Sequence, residues 1–204
     1  MIIEMDERLA LLITVFVLGL VFGSGLLIRG DILMFLVITV IVSIAVIPHE
    51  LAHRWSARRM GCYSRYVLSP LGLIMTLITA IPFIPFKVIM VGFTLVVPTR
   101  YDPIFLKKLN GIVSYMGPLT NILIATGSLT IYALLVKLGV YSPILYFFLL
   151  YSTYINAWIA IFNLIPVPPL DGSKIITWKP ILWIITLLFS IGLYIVSGME
   201  LGVF

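Results

Sequence analysis

Apolar residues run along this sequence in blocks long enough to cross a lipid bilayer, since about 20 apolar residues in a helix span the hydrocarbon core. Five such blocks lie at about 9–28, 32–55, 109–136, 143–165 and 181–196. A sixth apolar stretch, 66–97, is interrupted by three prolines and ends in a β-branched run around Gly92. That pattern is typical of a helix or loop followed by a β-hairpin. We therefore predict an all-α polytopic membrane protein, a bundle of five to six transmembrane helices with a small membrane-associated β-hairpin or sheet.

Composition supports one membrane-embedded domain. Of 204 residues, 62% are hydrophobic and 10% are charged, and the mean hydropathy is +1.20, far above that of an ordinary soluble domain. No polar stretch is long enough for a second, soluble domain, so we predict a single domain over 1–204. The single cysteine, Cys62, excludes an internal disulfide and a multi-cysteine metal site.

The net charge of +5 indicates membrane orientation rather than nucleic-acid binding. The basic residues stand beside the apolar blocks, mainly within 54–65, 107–108 and 174–179, instead of forming one patch. If these clusters face the cytoplasm, the five spans alternate consistently, provided that 66–97 enters and leaves on one side. We predict a multi-pass protein of the cell membrane that contacts lipid and does not bind nucleic acid.

The second block contains His49-Glu50-Leu51-Ala52-His53, with the only two histidines of the chain. Residues four apart share one face of a helix, which lets two imidazoles bind one metal ion. Glu50 follows His49 directly, so its side chain lies outside the ligand set but close enough to act as a base on a water at the metal. Ionisable groups in an apolar helix are costly unless paired or metal-bound. Metal binding is therefore favoured over a metal-free proton relay or a role in helix packing.

Asp171 is the candidate third ligand, since a catalytic zinc takes three protein ligands and keeps one position open. It follows three prolines that should unwind the chain after the fourth block, so we predict that irregular backbone carries it. An ordinary interfacial Asp-Gly turn is the alternative. A ligand is favoured because the second and fourth spans run in the same direction, so that the depths of His49, His53 and Asp171 can match. The charges of Zn²⁺, Asp171 and Glu50 also sum to zero.

Two asparagines in apolar runs complete the candidate set. Asn163, at the end of the fourth block, is a candidate donor to the oxyanion that forms when a peptide carbonyl is attacked. A helix-to-helix hydrogen bond is its alternative role. For Asn121, in the third block, that bond is the predicted role, because buried amides usually link helices.

Three other classes of protein fit part of this pattern. An ion- or proton-coupled transporter or channel would use His49, Glu50, His53 and Asp171 as an ion path, but these residues cluster towards one side of the membrane. A non-catalytic, metal-stabilised scaffold leaves Glu50 without a function. A membrane di-iron enzyme would need many more histidines than two.

Three motifs together resemble the site-2 protease family of intramembrane zinc metalloproteases. They are His49-Glu50-x-x-His53, Gly117-Pro118-x-x-Asn121 and Asn163-x-x-Pro166-x-Pro168-x-Leu170-Asp171-Gly172. The resemblance covers the second to fourth spans and the interrupted region, where the family has membrane-associated β-structure. It implies one zinc ion per chain bound by His49, His53 and Asp171, with Glu50 as general base and acid.

The resemblance also implies a substrate, namely a transmembrane helix of another membrane protein, cut by regulated intramembrane proteolysis. The orientation set by the basic clusters predicts that the active site lies towards the cytoplasmic side. Such a helix must unwind locally, and strands around Gly92 would hold it extended at a sheet edge. Water must reach the zinc through a channel or gate, for which the first and fifth spans are candidates. Many relatives carry a PDZ domain after the Gly-Pro helix, whereas only 137–142 is available here. The sequence does not specify the oligomeric state.

Overall fold

The computed structural model describes residues 5–84 and 86–203, and the chain divides into two compact units, Met1–Tyr101 and Asp102–Phe204. Within the described residues, five helices are long and apolar enough to cross a membrane. These helices are Glu7–Ile28, Ile32–Arg59, Pro103–Lys137, Pro143–Asn163 and Pro180–Glu200. The predicted multi-pass helical fold with a small sheet is confirmed. That the chain forms a single domain remains a prediction.

The first unit is built from α1, α2, β1, α3 and β2. Their bounds are Glu7–Ile28 (α1), Ile32–Arg59 (α2), Tyr63–Leu68 (β1), Pro70–Thr79 (α3) and Gly92–Val97 (β2). The turn between α1 and α2 uses Gly30, whose φ of 77° is costly for other residues. Asp31 then caps α2 by accepting a hydrogen bond from the backbone N–H of Met34 (3.1 Å). The two helices approach closely, since a Cβ on Gly19 would press against Thr39.

The sheet has two antiparallel strands, with Tyr63 opposite Val97 and Leu68 opposite Gly92. α3 is inserted between the two strands, so the partner of β2 precedes the helix. The expectation of a hairpin after the helix is wrong in this detail. A single strand follows α3 in the described residues, and it pairs with residues directly after α2. The ladder continues past the strand ends, where the backbone N–H of Ser69 donates to the carbonyl of Val91 (3.0 Å).

The connection from α3 to β2 is held against α3 by polar contacts. The Thr76 hydroxyl accepts from the backbone N–H of Met90 (3.2 Å), and the Lys87 ammonium donates to the carbonyl of Thr79 (2.8 Å). Burial lowers the pKa of Lys87. A Cβ on Gly72 would overlap the Met90 carbonyl oxygen. These contacts fix where β2 begins.

The second unit is built from α4, α5, α6 and α7. Their bounds are Pro103–Lys137 (α4), Pro143–Asn163 (α5), Asp171–Trp178 (α6) and Pro180–Glu200 (α7). Its core includes mainly small or branched apolar residues, Ile122, Ala125, Ala157, Ala160 and Leu193. Small side chains let helices in a membrane pack closely.

The proline-rich segment after α5 ends that helix as predicted. α5 stops at Asn163, and the next helix begins at Asp171. The backbone between them is held from α7, where the Trp183 indole N–H donates to the carbonyl of Leu164 (2.7 Å). A Cβ on Gly172 would overlap that same carbonyl. α6 therefore packs directly against the segment that leads into it.

Candidate metal centre

The two histidines lie on one face of α2 and are almost fully buried, with 3% of His49 and 6% of His53 exposed. Their Nε2 atoms are 3.0 Å apart, and their ring planes are nearly perpendicular at 86°. One ligand atom from each of His49, Glu50 and His53 lies within 4.8 Å of the others. The spacing of four residues thus brings two nitrogen ligands and a carboxylate together, as the sequence predicts.

This donor set fits a zinc ion. Two nitrogen ligands at about 2.0–2.1 Å from a tetrahedral zinc would lie about 3.3 Å apart, close to the separation of the two Nε2 atoms. Imidazole nitrogen is a preferred zinc ligand, and two of them with a carboxylate favour zinc over magnesium or calcium. Both rings are buried in an apolar helix, where polar side chains are costly. A cation bound by both histidines would offset that cost.

Glu50 is half-buried and bonded to the sheet. The Thr94 hydroxyl donates to Oε2 of Glu50 (2.9 Å) and lies 3.4 Å from the backbone carbonyl of Glu50. Tyr66 is the cross-strand partner of Thr94, so both side chains leave the same face of the sheet. Burial raises the pKa of the Tyr66 hydroxyl, and the Glu50 carboxylate raises it further. β1 and β2 therefore both contribute a side chain beside Glu50.

Two arginines of α2 attach the helix to its surroundings. Arg54 donates to Oε2 of Glu7 at the start of α1 (2.7 Å), and Glu7 also accepts from the backbone N–H of Tyr66 through Oε1 (3.0 Å). Arg58 donates to the carbonyl of Ser64 in β1 (3.0 Å). The helix that carries the histidines is thus tied to α1 and to the sheet just after the motif.

Asp171 is the first residue of α6 in the second unit. The expectation that irregular backbone carries it is wrong, because the helix resumes as soon as the prolines end. A carboxylate in the first turn of a helix is favoured by the helix dipole, which explains why Asp171 begins one. The irregular backbone is confined to 164–170.

The two candidate asparagines also lie in the second unit. Asn163 is the last residue of α5 and donates through Nδ2 to the carbonyl of Ile159 (3.0 Å). Asn121 is fully buried and donates from α4 to Oδ1 of Asn156 in α5 (2.9 Å). Asn156 in turn donates to the carbonyl of Ser152 (2.8 Å).

Sequence reasoning missed two of these polar residues, Thr94 and Asn156. Asn156 was detectable, since an amide in an apolar span usually finds a partner on another helix. Thr94 was not detectable, because threonine is common in strands and signals no special role there. Its contact with Glu50 also joins residues 44 positions apart in the sequence.

In the described residues, five helices are long and apolar enough to cross a membrane, and one of them carries two buried histidines beside the half-buried Glu50. Together they define a membrane protein with a candidate metal centre of the metalloprotease kind. Comparison with known proteins gives the family. A protein of Methanocaldococcus jannaschii named "Putative zinc metalloprotease MJ0611" is 30% identical over 191 residues, covering 91% of this chain and 91% of the relative. The Bacillus subtilis protein named "Putative zinc metalloprotease YwhC" is 32% identical over 155 residues, or 70% of this chain and 67% of the relative.

The chain belongs to this family of zinc metalloproteases. No family model matches it, and no solved structure matches it significantly. Because five helices of the described part are long and apolar enough to cross a membrane, the protein is a multi-pass membrane metalloprotease.

Proposed function

We propose that this protein is an intramembrane zinc metalloprotease of the site-2 type, which hydrolyses peptide bonds in or near transmembrane helices of other membrane proteins. The observation that carries the proposal is the position of the metal centre. His49 and His53 are buried in α2, a helix of 28 residues whose composition is that of a membrane span. A soluble substrate would not reach such a helix, whereas a substrate within the bilayer would lie beside it.

In this proposal one zinc ion per chain is bound by His49, His53 and Asp171. Zinc supplies Lewis acidity, which polarises a peptide carbonyl and lowers the pKa of water. The 3.0 Å separation of the histidine nitrogens supports the proposal. The formal charges of Zn²⁺, Asp171 and Glu50 also sum to zero. Asp171 is supported only by its chemistry and by the motif that contains it.

Glu50 acts as general base and then as general acid. It takes a proton from the attacking water and returns one to the leaving amine. Asn163 is the proposed donor to the oxyanion of the tetrahedral intermediate. One N–H of its amide group already donates to Ile159, and the amide has a second N–H to offer.

The substrate must be extended when it is cut, and the sheet offers one edge for this. The outer edge of β1 is closed, because the N–H of Tyr66 bonds to Glu7 and the carbonyl of Ser64 bonds to Arg58. In an antiparallel pair, alternate residues turn their backbone groups away from the partner strand. On β2 the equivalent outward residues are Gly92, Thr94 and Val96.

We infer that an unwound substrate segment adds to β2, whose residue Thr94 contacts Glu50. This places a main-chain recognition edge next to the proposed base. Access to the site from the bilayer would require a gate, for which α1 and α7 remain the candidates. We further propose a location in the cell membrane, with the active site towards the cytoplasmic side.

The test compares the purified wild type with Glu50→Gln and with a matched control, Glu200→Gln. Glu200 ends α7 and accepts a hydrogen bond from the Tyr132 hydroxyl (2.7 Å). Zinc per chain and cleavage of a transmembrane reporter are measured in detergent. We expect bound zinc in all three proteins, cleavage by the wild type and Glu200→Gln, and at least a ~100-fold loss of cleavage in Glu50→Gln. Equal cleavage by Glu50→Gln, or no zinc in any of them, would refute the proposal.

A further inference from the structure

We propose that Thr94 is a positioning residue for Glu50, an inference that rests on the proposed role of Glu50 as general base. The Thr94 hydroxyl donates to Oε2 of Glu50 at 2.9 Å, and the backbone carbonyl of Glu50 lies 3.4 Å from the same oxygen. One hydroxyl thus contacts both the side chain and the main chain of Glu50. The bond joins two structural elements, α2 and β2, across 44 residues of sequence.

The position of Thr94 is fixed by a closed series of contacts that begins and ends on α2. After the metal-binding motif, Arg58 donates to the carbonyl of Ser64 (3.0 Å), and the Ser64 hydroxyl donates to the carbonyl of Arg54 (3.1 Å). These bonds attach β1 to the last turns of α2. The ladder then sets Tyr66 opposite Thr94, and Thr94 returns to Glu50. The sheet is therefore a frame that holds one donor at a defined place beside α2.

Such a donor has a clear chemical use. A glutamate side chain has several rotatable bonds, so an unrestrained carboxylate would sample many positions. A hydrogen bond from a hydroxyl to an ionised carboxylate is stronger than one between neutral groups. Threonine suits the task because its β-branched side chain has a restricted χ1 and is favoured in strands. Since a base must lie within hydrogen-bond reach of the proton that it abstracts, holding one carboxylate oxygen supports the rate of reaction.

The kinetic test uses Thr94→Val, which keeps the shape and strand preference but removes the hydroxyl, and Thr94→Ser, which retains a hydroxyl. The matched control is Thr126→Val, because the Thr126 hydroxyl is buried without a hydrogen-bond partner among the described residues. For Thr94→Val we expect kcat on a transmembrane reporter to fall about tenfold or more, with KM and zinc content unchanged. Thr94→Ser should restore kcat to within about threefold of the wild type. The kcat of Thr126→Val should equal that of the wild type.

A second readout does not depend on activity. The infrared difference between the wild type and Glu50→Gln isolates the Glu50 carboxylate band, and the same difference in the Thr94→Val background gives that band without the hydroxyl. We expect the band to shift in Thr94→Val and to return in Thr94→Ser. An unshifted band, or a wild-type kcat in Thr94→Val, would overturn the assignment. If the band shifted in Thr94→Val but the wild type cleaved no reporter, the contact would be supported and the proposed protease function refuted, so the two failures are distinguishable.

Discussion

Buried hydroxyl groups in the long helices mostly bond to their own helix. The hydroxyls of Thr14, Ser190 and Ser197 each donate to the carbonyl four residues earlier. Bonds of this kind satisfy a polar group in an apolar environment without linking two helices. The bond from Asn121 to Asn156 differs, because it joins α4 to α5. Hydrogen bonds between helices are therefore the ones expected to specify which helices pair.

Replacing Asn121 by leucine tests this difference. The change removes the donor to Oδ1 of Asn156 and leaves a buried acceptor without it, so we expect the free energy of unfolding to fall by about 1–2 kcal/mol. Unfolding in mixed detergent micelles measures the effect. Thr126→Val is again the control: its hydroxyl has no partner in the described part of the chain, so removing it should not lower the free energy of unfolding. Equal effects of the two changes would contradict the assigned role of Asn121.

The sheet is the element that sequence patterns describe least well. The β-branched run that ends at Val97 predicts a strand, and β2 is there. Its partner, β1, follows the basic end of α2 and contains Ser64 and Arg65, so it lacks a continuous apolar run. Pairing between strands separated by a whole helix is a non-local choice that local composition does not encode. The arrangement of β1 and β2 beside Glu50 was therefore not predictable, because each strand has an ordinary composition.

A proline at Val96 tests which edge of the sheet receives the substrate. The Val96 backbone faces away from β1, so Val96→Pro removes an outward N–H without removing a bond of the ladder. If the substrate adds to β2, we expect kcat/KM on a helical reporter to fall about tenfold or more, because a main-chain hydrogen bond and the local fit are lost.

Zinc content should stay unchanged in this variant, and Val96→Ala, which keeps the N–H, should remain within about twofold of the wild type. Unchanged cleavage by Val96→Pro would rule out strand addition at this edge.

Hydropathy and residue spacing predict the features of the molecule that depend on local sequence, namely the membrane-spanning helices and the pairing of the two histidines. Apolar blocks of sufficient length become helices in a bilayer because the backbone must bond internally, and all five predicted spans have a helix. His49 and His53 meet because a helix places residues four apart together. Asp171 is less predictable, since the prolines mark where α5 ends but not that a new helix begins at once.

The third ligand is the part of the proposed site for which the test is most direct. Asp171→Asn keeps the shape of the side chain and removes its charge, so we expect zinc affinity to fall at least about 100-fold, given that loss of a mere hydrogen-bond partner of a ligand costs about 10–100-fold. Titration with a competing chelator measures it. Asp102→Asn is the matched control: Asp102 caps α4 through a bond to the backbone N–H of Phe105 (2.8 Å), and asparagine caps helices equally well. Zinc affinity should be unchanged in the control. If Asp171→Asn also bound zinc like the wild type, His49 and His53 would need another third ligand, and the charge argument for Asp171 would fail with it.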